Sequence, residues 1–207
     1  DGKAVKATFT KDGATNGTKY SCCGAAKTVG AKVYKVSSVK LSTSTYTYDG
    51  KNKTPSVYVK NSKGAKLVKD TDYTVTMAKT RKAVGQYKVT ITLKGKYSGT
   101  KTLYFTIIPK NIKLSSVKAG SKSLTIKWAK TTSHVKGYEI QYSTSSSFSK
   151  KTTKTVKVTS YKTSSKTIKK LSAKKKYYVR IRAYKTVSGK TYYSKSWSSK
   201  KYATTKK

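Results

Sequence analysis

The feature that most restricts the fold of this chain is the alternation of apolar and polar residues in short runs. In the clearest run, Tyr177–Tyr184, the residues Tyr177, Val179, Ile181 and Ala183 share one face. Successive side chains of a strand point to opposite faces, so this pattern predicts one buried face and one solvent face. Comparable runs recur at intervals of roughly ten residues with turn signals between them, which is typical of sandwiches. The sequence therefore predicts an all-β chain of two antiparallel β-sandwiches placed end to end.

The runs divide the chain into three segments. Residues 1–34 are rich in Gly, Thr and Ala and too short for a core, so we interpret them as a remnant of a preceding repeat or an N-terminal extension. Residues 35–110 and 111–207 each carry enough runs for one sandwich, and the second is expected to end in a basic tail. Only Pro109 and Lys110 join them, which predicts little freedom between the two domains. The expected strands are Val36–Leu41, Pro55–Lys60, Tyr73–Met77, Tyr87–Leu93, Leu103–Ile108, Ser123–Ala129, Gly137–Tyr142, Thr155–Thr159, Thr167–Leu171, Tyr177–Tyr184 and Tyr192–Trp197.

Composition alone would point away from a fold, because low hydrophobicity with high net charge is typical of disordered chains. The 207 residues include 48 Lys and Arg against 6 Asp and Glu, a formal net charge of +42. The 18 Tyr and the many Val, Ile and Thr nevertheless fit a pleated, half-buried surface. We therefore predict a folded chain with Lys, Ser and Thr on its outer strand faces. Its stability should rise with added salt, because few carboxylates offset the repulsion between lysines.

The basic charge points to polyanionic partners, since exposed Lys side chains attract phosphates and sulfates and release their counterions. The candidate clusters are Lys169 with Lys170, and Lys174 with Lys175 and Lys176. Arg occurs only three times, and Lys lacks the bidentate fork with which Arg reads bases. Anionic glycans are therefore expected partners, and sequence-specific binding of nucleic acid is not. The plainer interpretation is that Lys keeps a surface protein soluble.

Aromatic residues interleave with Lys in the last third of the chain. Tyr178, Tyr184, Tyr192 and Tyr193 are candidates for an exposed ladder that stacks on sugars or bases. The alternative is cross-strand pairing that only stabilises the sheet.

The second domain resembles a fibronectin type III domain. Trp128 lies on its second expected strand, Leu171 stands six residues before Tyr177, and Trp197-Ser198 lies where the last strand is expected. The resemblance implies a sandwich with Trp128 in its core and a Tyr177 hydroxyl that returns to the backbone upstream.

The resemblance also implies a location for receptor contacts, the loop between the last two strands. Some type III domains carry receptor-binding residues there, and an integrin-like host receptor is a candidate partner. No Arg-Gly-Asp sequence occurs in this chain, so only the location is carried over. The loop residues are Lys185, Thr186, Val187, Ser188, Gly189 and Lys190.

The middle domain is similar to an Ig-like repeat of secreted and surface proteins from gut Gram-positive bacteria, on the segments 46–51, 55–57, 72–75 and 95–100. Those proteins often carry a Cys-x-x-Cys stretch before the repeat. Here Cys22 and Cys23 are adjacent, so the spacing that grips a metal is lost, and no metal, cofactor or internal disulfide is expected.

Catalytic chemistry has little support in the sequence, and the chain is not expected to be an enzyme. His134 is the only histidine and is interpreted as a solvated loop residue. Glu139 is the only carboxylate after Asp72, so the second domain has no paired carboxylates and no acid–base dyad. No phosphate loop or dinucleotide motif occurs, and no stretch is long and apolar enough to span a membrane.

Three hypotheses remain. The first is a non-catalytic, secreted or cell-surface binding and adhesion module of a gut bacterium, monomeric, that contacts anionic glycans or host surfaces. The second, motivated by the fold and by processed-looking chain ends, is a released effector that mimics a host type III hormone of the irisin kind and engages a receptor. The third is a ligand-free spacer.

Overall fold

The computed structural model describes residues 3–16, 30–132 and 134–207, and in them every regular element is a β-strand. Cys22 and Cys23 lie outside the described residues. No helix in the described part is long and apolar enough to cross a membrane. The strands are β1 (Gly13–Ala14), β2 (Lys32–Val33), β3 (Val36–Leu41), β4 (Thr45–Thr47), β5 (Val57–Asn61), β6 (Tyr73–Met77), β7 (Gly85–Leu93), β8 (Thr100–Ile108), β9 (Leu114–Gly120), β10 (Ser123–Trp128), β11 (Gly137–Ser143), β12 (Thr153–Val158), β13 (Ser165–Ile168), β14 (Lys176–Val187), β15 (Lys190–Tyr193) and β16 (Lys201–Thr204).

The chain forms two compact units. The first takes described residues from 1–45, 52–81 and 86–106, and the second from 46–51, 82–85 and 107–207. The expected division at residue 110 differs from this, because two short segments of the middle of the chain group with the second unit.

The first unit draws on two sheets, β3-β5 and β4-β8-β7-β6, which enclose a core of β-branched and aromatic side chains. Val59, Val89, Ile91 and Phe105 are almost fully buried there. The hydroxyl of Tyr73 donates a 3.1 Å hydrogen bond to the carbonyl of Val57, which ties an edge strand of one sheet to the other.

The described parts of 1–34 pack on this first unit rather than standing apart. Strands β1 and β2 pair with each other, and Ala7 is fully buried. The Ala7 N–H donates to the Lys96 carbonyl at 2.9 Å, and the Ala7 carbonyl accepts from Ser98 at 2.8 Å. A segment too short for its own core thus buries its apolar residues against a loop of the sandwich.

The second unit is a sandwich of a three-stranded sheet, β13-β10-β9, and a larger sheet, β12-β11-β14-β15, in which β16 also pairs with β14. The core lies between them and includes Trp128, whose ring meets Tyr138 edge-on at 5.2 Å. The alternation of β14 is confirmed, because Tyr177, Val179 and Ile181 are buried in this core.

The second unit contains two strands that the sequence did not predict, and the bounds of its other strands differ from the expected ones. β9 has no clean alternation, and β16 occupies the segment expected to be a basic tail. β14 extends to Val187, and its partner β15 ends already at Tyr193. Pairing partners supplied by the rest of the fold, rather than local pattern, decide these boundaries.

Candidate binding surface

The outer face of the larger sheet in the second unit carries a row of alternating cations and aromatic rings. It arises because residues 178, 180 and 182 of β14 point away from the core that residues 177, 179 and 181 fill. We call this surface the cation–aromatic row. Its members are Phe148, Lys176, Tyr178, Arg180, Arg182, Tyr193, Trp197, Lys200 and Tyr202.

Arg180 occupies the middle of the row between two rings. Its guanidinium carbon lies 4.1 Å from the ring centroid of Phe148 and 4.6 Å from that of Trp197. Its Nε and Nη2 atoms donate to the side-chain oxygen of Gln141, the cross-strand partner on β11, at 2.9 and 2.6 Å. Burial, and then the neighbouring Arg182, lower the pKa of Arg180. The group is therefore both stacked and hydrogen-bonded within the protein.

Arg182 repeats this arrangement one step along β14. Its guanidinium carbon lies 3.7 Å from the ring centroid of Tyr193 and 4.4 Å from that of Trp197. Its Nη2 atom forms a 2.9 Å ion pair with Glu139, which is buried. Burial first, and then the charge of Glu139 together with a hydrogen bond to it, raise the pKa of Tyr193. The single carboxylate of this unit's sandwich is thus held beneath the row.

The segment between β15 and β16 places Trp197 between the two arginines. Ser194 and Ser198 each donate a backbone N–H to β14, to the carbonyls of Ala183 at 2.9 Å and Ile181 at 2.8 Å. In return their hydroxyls accept the N–H groups of Ala183 at 3.3 Å and Ile181 at 3.1 Å. Serine hydroxyls therefore take the place of strand carbonyls, and the backbone is fixed without forming a regular strand.

Lysines and tyrosines form the other end of the row, which we call the lysine end: Lys176, Tyr178, Lys200 and Tyr202. Tyr178 and Tyr202 are direct cross-strand partners on β14 and β16, with ring centroids 5.8 Å apart. The Lys176 Nζ atom lies 4.0 Å from the Tyr202 centroid and 5.5 Å from the Tyr178 centroid. Lys200 Nζ lies 5.8 Å from the Tyr178 centroid and donates to the Ser146 carbonyl at 3.1 Å. Tyr202 is 61% exposed.

The predicted tyrosine ladder is therefore only partly present. Tyr178 and Tyr193 lie on the row and are partly exposed. Tyr184 and Tyr192 are buried, contrary to expectation. Tyr184 is covered by Tyr193, at 6.3 Å between centroids, and by the ammonium of Lys157 at 5.9 Å. Burial, then Glu139, raise the pKa of Tyr184.

The candidate lysine clusters lie on loops around β13 and β14 and are exposed. Lys169 and Lys170 follow β13, Lys174 and Lys175 precede β14, and Lys176 begins it. Lys176 alone among them reaches the row in the described contacts. Lys170 and Lys174 have φ angles of 59° and 52°, in the left-handed region that favours glycine.

The buried Thr205 fixes the loop that carries Lys174 and Lys175. Its hydroxyl donates to the Ser172 carbonyl at 2.6 Å and accepts the Lys175 N–H at 3.0 Å. Its own backbone N–H bonds to the Lys175 carbonyl at 3.1 Å. The lysines of this loop are therefore presented by a rigid backbone.

The candidate receptor loop is a tight hairpin. Lys185, Thr186 and Val187 belong to β14 and Lys190 to β15, so only Ser188-Gly189 turns. Both turn residues have positive φ angles, 47° and 76°, as a type I′ turn requires. The hydroxyls of Thr186 and Thr191 lie 3.2 Å apart across the strands.

The opposite sheet of the sandwich offers a contrasting surface. Lys118, Thr125 and Thr167 pair across β9, β10 and β13, and the Thr125 and Thr167 hydroxyls lie 3.1 Å apart. Lys127 is exposed on the same face of β10. These side chains supply charge and hydroxyl groups without the aromatic rings of the row.

His134 is partly buried rather than solvated, which corrects the sequence interpretation. Its Nδ1 atom lies 2.6 Å from the Thr132 hydroxyl. Burial first, and then the charges of Lys185 and Lys110, lower its pKa. Glu139 forms an ion pair with Arg182, so it does not serve as the carboxylate partner that a catalytic histidine needs. Among the described residues, no group of three or more His, Cys, Asp or Glu could hold a metal ion.

The expected tyrosine corner is present. The Ser172 N–H donates to the Tyr177 hydroxyl at 3.2 Å, five residues upstream of the tyrosine. In contrast, sequence reasoning missed Arg180, Arg182 and Trp197 as one group. The available signal was the pair of arginines at consecutive outward positions of the strongest strand, in a chain with almost no other Arg.

Comparison with known families identifies the second sandwich. Residues 108–200 match the family model for the fibronectin type III domain. This match agrees with the all-β sandwich of the second unit, and fibronectin type III domains are generic binding and adhesion modules in a fold that is typically non-catalytic.

Two solved structures are similar to this chain. The FN1-FN3 domains of chicken CNTN1 share 23% identity over 60% of this chain and 44% of that one, with a TM-score of 0.41. A beta-1,2-glucanase from Parabacteroides distasonis shares 20% identity over 58% of this chain and 18% of that one, with a TM-score of 0.37. The chain thus spans less than half the length of either. No curated protein matches it.

Proposed function

We propose that the chain is a non-catalytic binding and adhesion module, secreted or displayed at a cell surface, whose partners are anionic glycans. The fibronectin type III domain supports a binding role. The resemblance, seen in the sequence, of the middle segment to repeats of gut Gram-positive surface proteins supports the proposal of a role at a host or mucosal surface.

The proposal rests mainly on how few carboxylates the chain has to offset its basic side chains. Asp12 pairs with Lys32 at 2.9 Å, Asp70 with Lys69 at 3.4 Å and Glu139 with Arg182 at 2.9 Å. Six acids in all face 48 Lys and Arg, so most of the basic charge has no carboxylate to offset it. A polyanion that displaces the counterions of these lysines gains free energy from their release.

Catalysis is not part of the proposal. The single histidine and the single carboxylate of residues 111–207 serve separate local contacts, with Thr132 and Arg182 respectively. An acid–base pair needs both groups within reach of one substrate.

The test is binding of the full chain to heparin, to chemically desulfated heparin and to uncharged dextran across a range of salt. We expect heparin to bind tightly at low salt, with the logarithm of the affinity falling linearly with the logarithm of salt concentration. Desulfated heparin should bind much more weakly, and dextran not at all. Equal binding to heparin and dextran, or none to heparin at low salt, overturns the proposal.

The receptor alternative makes a different prediction in the same salt series. An effector that mimics a host type III hormone would use a specific patch, for which the rigid hairpin from Lys185 to Lys190 is the candidate. Binding to host cells would then persist at salt concentrations that abolish binding to heparin. A ligand-free spacer would bind neither heparin nor cells.

A further inference from the structure

We propose that the lysine end of the cation–aromatic row is the specific contact site for a sulfated pyranose, with Tyr202 as the stacking ring and Lys176 and Lys200 as the sulfate ligands. This inference rests on the proposed binding of anionic glycans and assigns it a site. It divides the row into a structural half and a ligand-binding half.

The arginine half of the row is already engaged by the protein. Arg180 lies between Phe148 and Trp197 and gives two donors to Gln141. Arg182 stacks on Tyr193 and Trp197 and is ion-paired with the buried Glu139. The rings cover the faces of both guanidinium groups, and Gln141 and Glu139 take N–H groups that a sulfate would need, so this half is less suited to bind one.

The lysine end differs because its cations are held only by weak contacts. An ammonium group has three donors and rotates freely about its stem. Lys200 uses one donor for the Ser146 carbonyl, and Lys176 rests over Tyr202 through a cation–π contact. Such a contact is weak at an exposed site, so a sulfate can draw the ammonium away at small cost.

Charge and ring lie close enough that a Lys176 ammonium drawn off the Tyr202 ring can still reach a sugar stacked on that ring. The Lys176 ammonium is 4.0 Å from the Tyr202 centroid, and the Tyr178–Tyr202 register on β14 and β16 holds the rings in place. A pyranose presents an apolar C–H face, and a sulfate on its edge takes charge-assisted hydrogen bonds from ammonium groups. A tyrosine suits the sugar because its ring is apolar and its hydroxyl polar.

The exposure of the rings favours a saccharide over single-stranded nucleic acid. Tyr202 is exposed, while Phe148, Tyr178, Tyr193 and Trp197 are partly covered. Nucleic-acid strands bind such surfaces by stacking successive bases on successive open rings. One open ring with a lysine beside it accommodates one sulfated sugar, but it does not offer a row of platforms for bases.

The decisive experiment compares two double variants of the full chain that remove equal charge. Lys176→Gln with Lys200→Gln alters the lysine end. Lys118→Gln with Lys127→Gln alters exposed positions of the opposite sheet, which lacks the rings. The probe is a size-defined heparin octasaccharide, measured by calorimetry at physiological salt. We expect a loss of about tenfold or more from the first pair, and about threefold or less from the second, because only the first removes direct contacts.

A second comparison tests the ring. Tyr202→Ala should weaken the octasaccharide about tenfold, in line with the worth of one stacked ring. Tyr104→Ala, which removes a 51% exposed tyrosine of the first unit, should leave the affinity unchanged. Urea midpoints close to wild type for all variants show that the changes act on binding and not on folding.

Each result bears on one claim. Equal losses from the two lysine pairs, with wild-type binding intact, overturn the assigned site but leave the proposed function standing. Absence of octasaccharide binding by the wild type at physiological salt overturns the assigned site, and its absence at low salt as well overturns the proposed function itself. Oligo-dT provides the test for nucleic acid. If oligo-dT displaces the octasaccharide, and if Tyr202→Ala weakens oligo-dT binding more than octasaccharide binding, the occupant is nucleic acid and the inference is wrong.

Discussion

Arg182 and Glu139 form an ion pair of 2.9 Å on the outer sheet face of a domain whose remaining charged side chains are all basic. Glu139 is 5% exposed, and the rings of Tyr193 and Trp197 stack on the Arg182 guanidinium. Breaking such a pair from one side leaves a desolvated charge without compensation.

Replacement of Glu139 by Gln should therefore destabilise the protein by about 1–3 kcal/mol, less than for a fully buried pair because Arg182 retains some contact with water. The measurement is urea unfolding of Glu139→Gln, Arg182→Gln and the double variant. A coupling energy near zero in this cycle would mean that the two residues stabilise the fold independently.

Trp197 should matter for stability although it lies outside any regular strand. Trp197→Ala removes two cation–π contacts, and we expect a cost of about 1–3 kcal/mol in urea unfolding. Trp197→Phe keeps a ring between the arginines and should lose less than half of this. If Ala and Phe are equally tolerated, the stacking adds nothing to stability.

Lys174 should be replaceable by Gly with a gain in stability. Its φ of 52° lies where a residue with a side chain is strained, so Gly relieves the backbone. Gly also raises the entropy of the unfolded chain, which offsets part of this gain and leaves a net stabilisation of up to about 1 kcal/mol. Lys174→Ala removes the same charge but keeps the strain. A higher melting temperature for Gly than for Ala is the expected outcome, and the reverse order would contradict it.

The stability of the protein should fall as the pH drops below about 6.5, the usual pKa of an unfolded histidine. Burial, with Lys185 and Lys110, lowers the pKa of His134, so the unfolded chain takes up a proton before the folded one. The contribution of His134 is thus complete above that pH and is lost as the pH falls through the folded pKa. Urea midpoints between pH 8 and 5 should show this slope. His134→Gln should reduce the dependence of the urea midpoint on pH. An unchanged dependence in this variant would mean that other groups cause it.

Added salt should raise the melting temperature over the range in which the Debye length falls from roughly 30 to 8 Å, because the repulsion among the lysines is screened. Sodium chloride and sodium fluoride should act alike if screening is the cause. Calorimetric scans in both salts provide the measurement, and a melting temperature that falls with salt would show that ion pairs dominate.

The strands that sequence reasoning located are those whose own pattern carries the information. Val36–Leu41 and Tyr73–Met77 were predicted to the residue, and Trp128 and Tyr177 lie in the core as expected. Tyr73–Met77 shows apolar alternation throughout, and Val36–Leu41 shows it only from Val39 onward, after a β-bulge near Val36.

The rest depends on partners that the local pattern does not encode. β16 is polar and becomes a strand only because β14 offers a free edge there. The Ser194–Ser198 segment pairs through hydroxyl groups, so neither its position nor that of Trp197 follows from hydrophobic period. Tyr184 was expected on the surface because alternation assigns a face but not what covers it.

The serine segment also has a consequence for association between copies of the chain. A strand edge with open N–H and C=O groups is a template on which another chain can add, and a chain rich in β-branched residues is prone to such growth. At Ile181 and Ala183 those groups are occupied by the serines and their hydroxyls. Lys195 projects from the same segment as an exposed charge. This stretch of the sheet margin is thereby closed to fibril-like extension, which helps a protein with so much strand remain dispersed at high concentration.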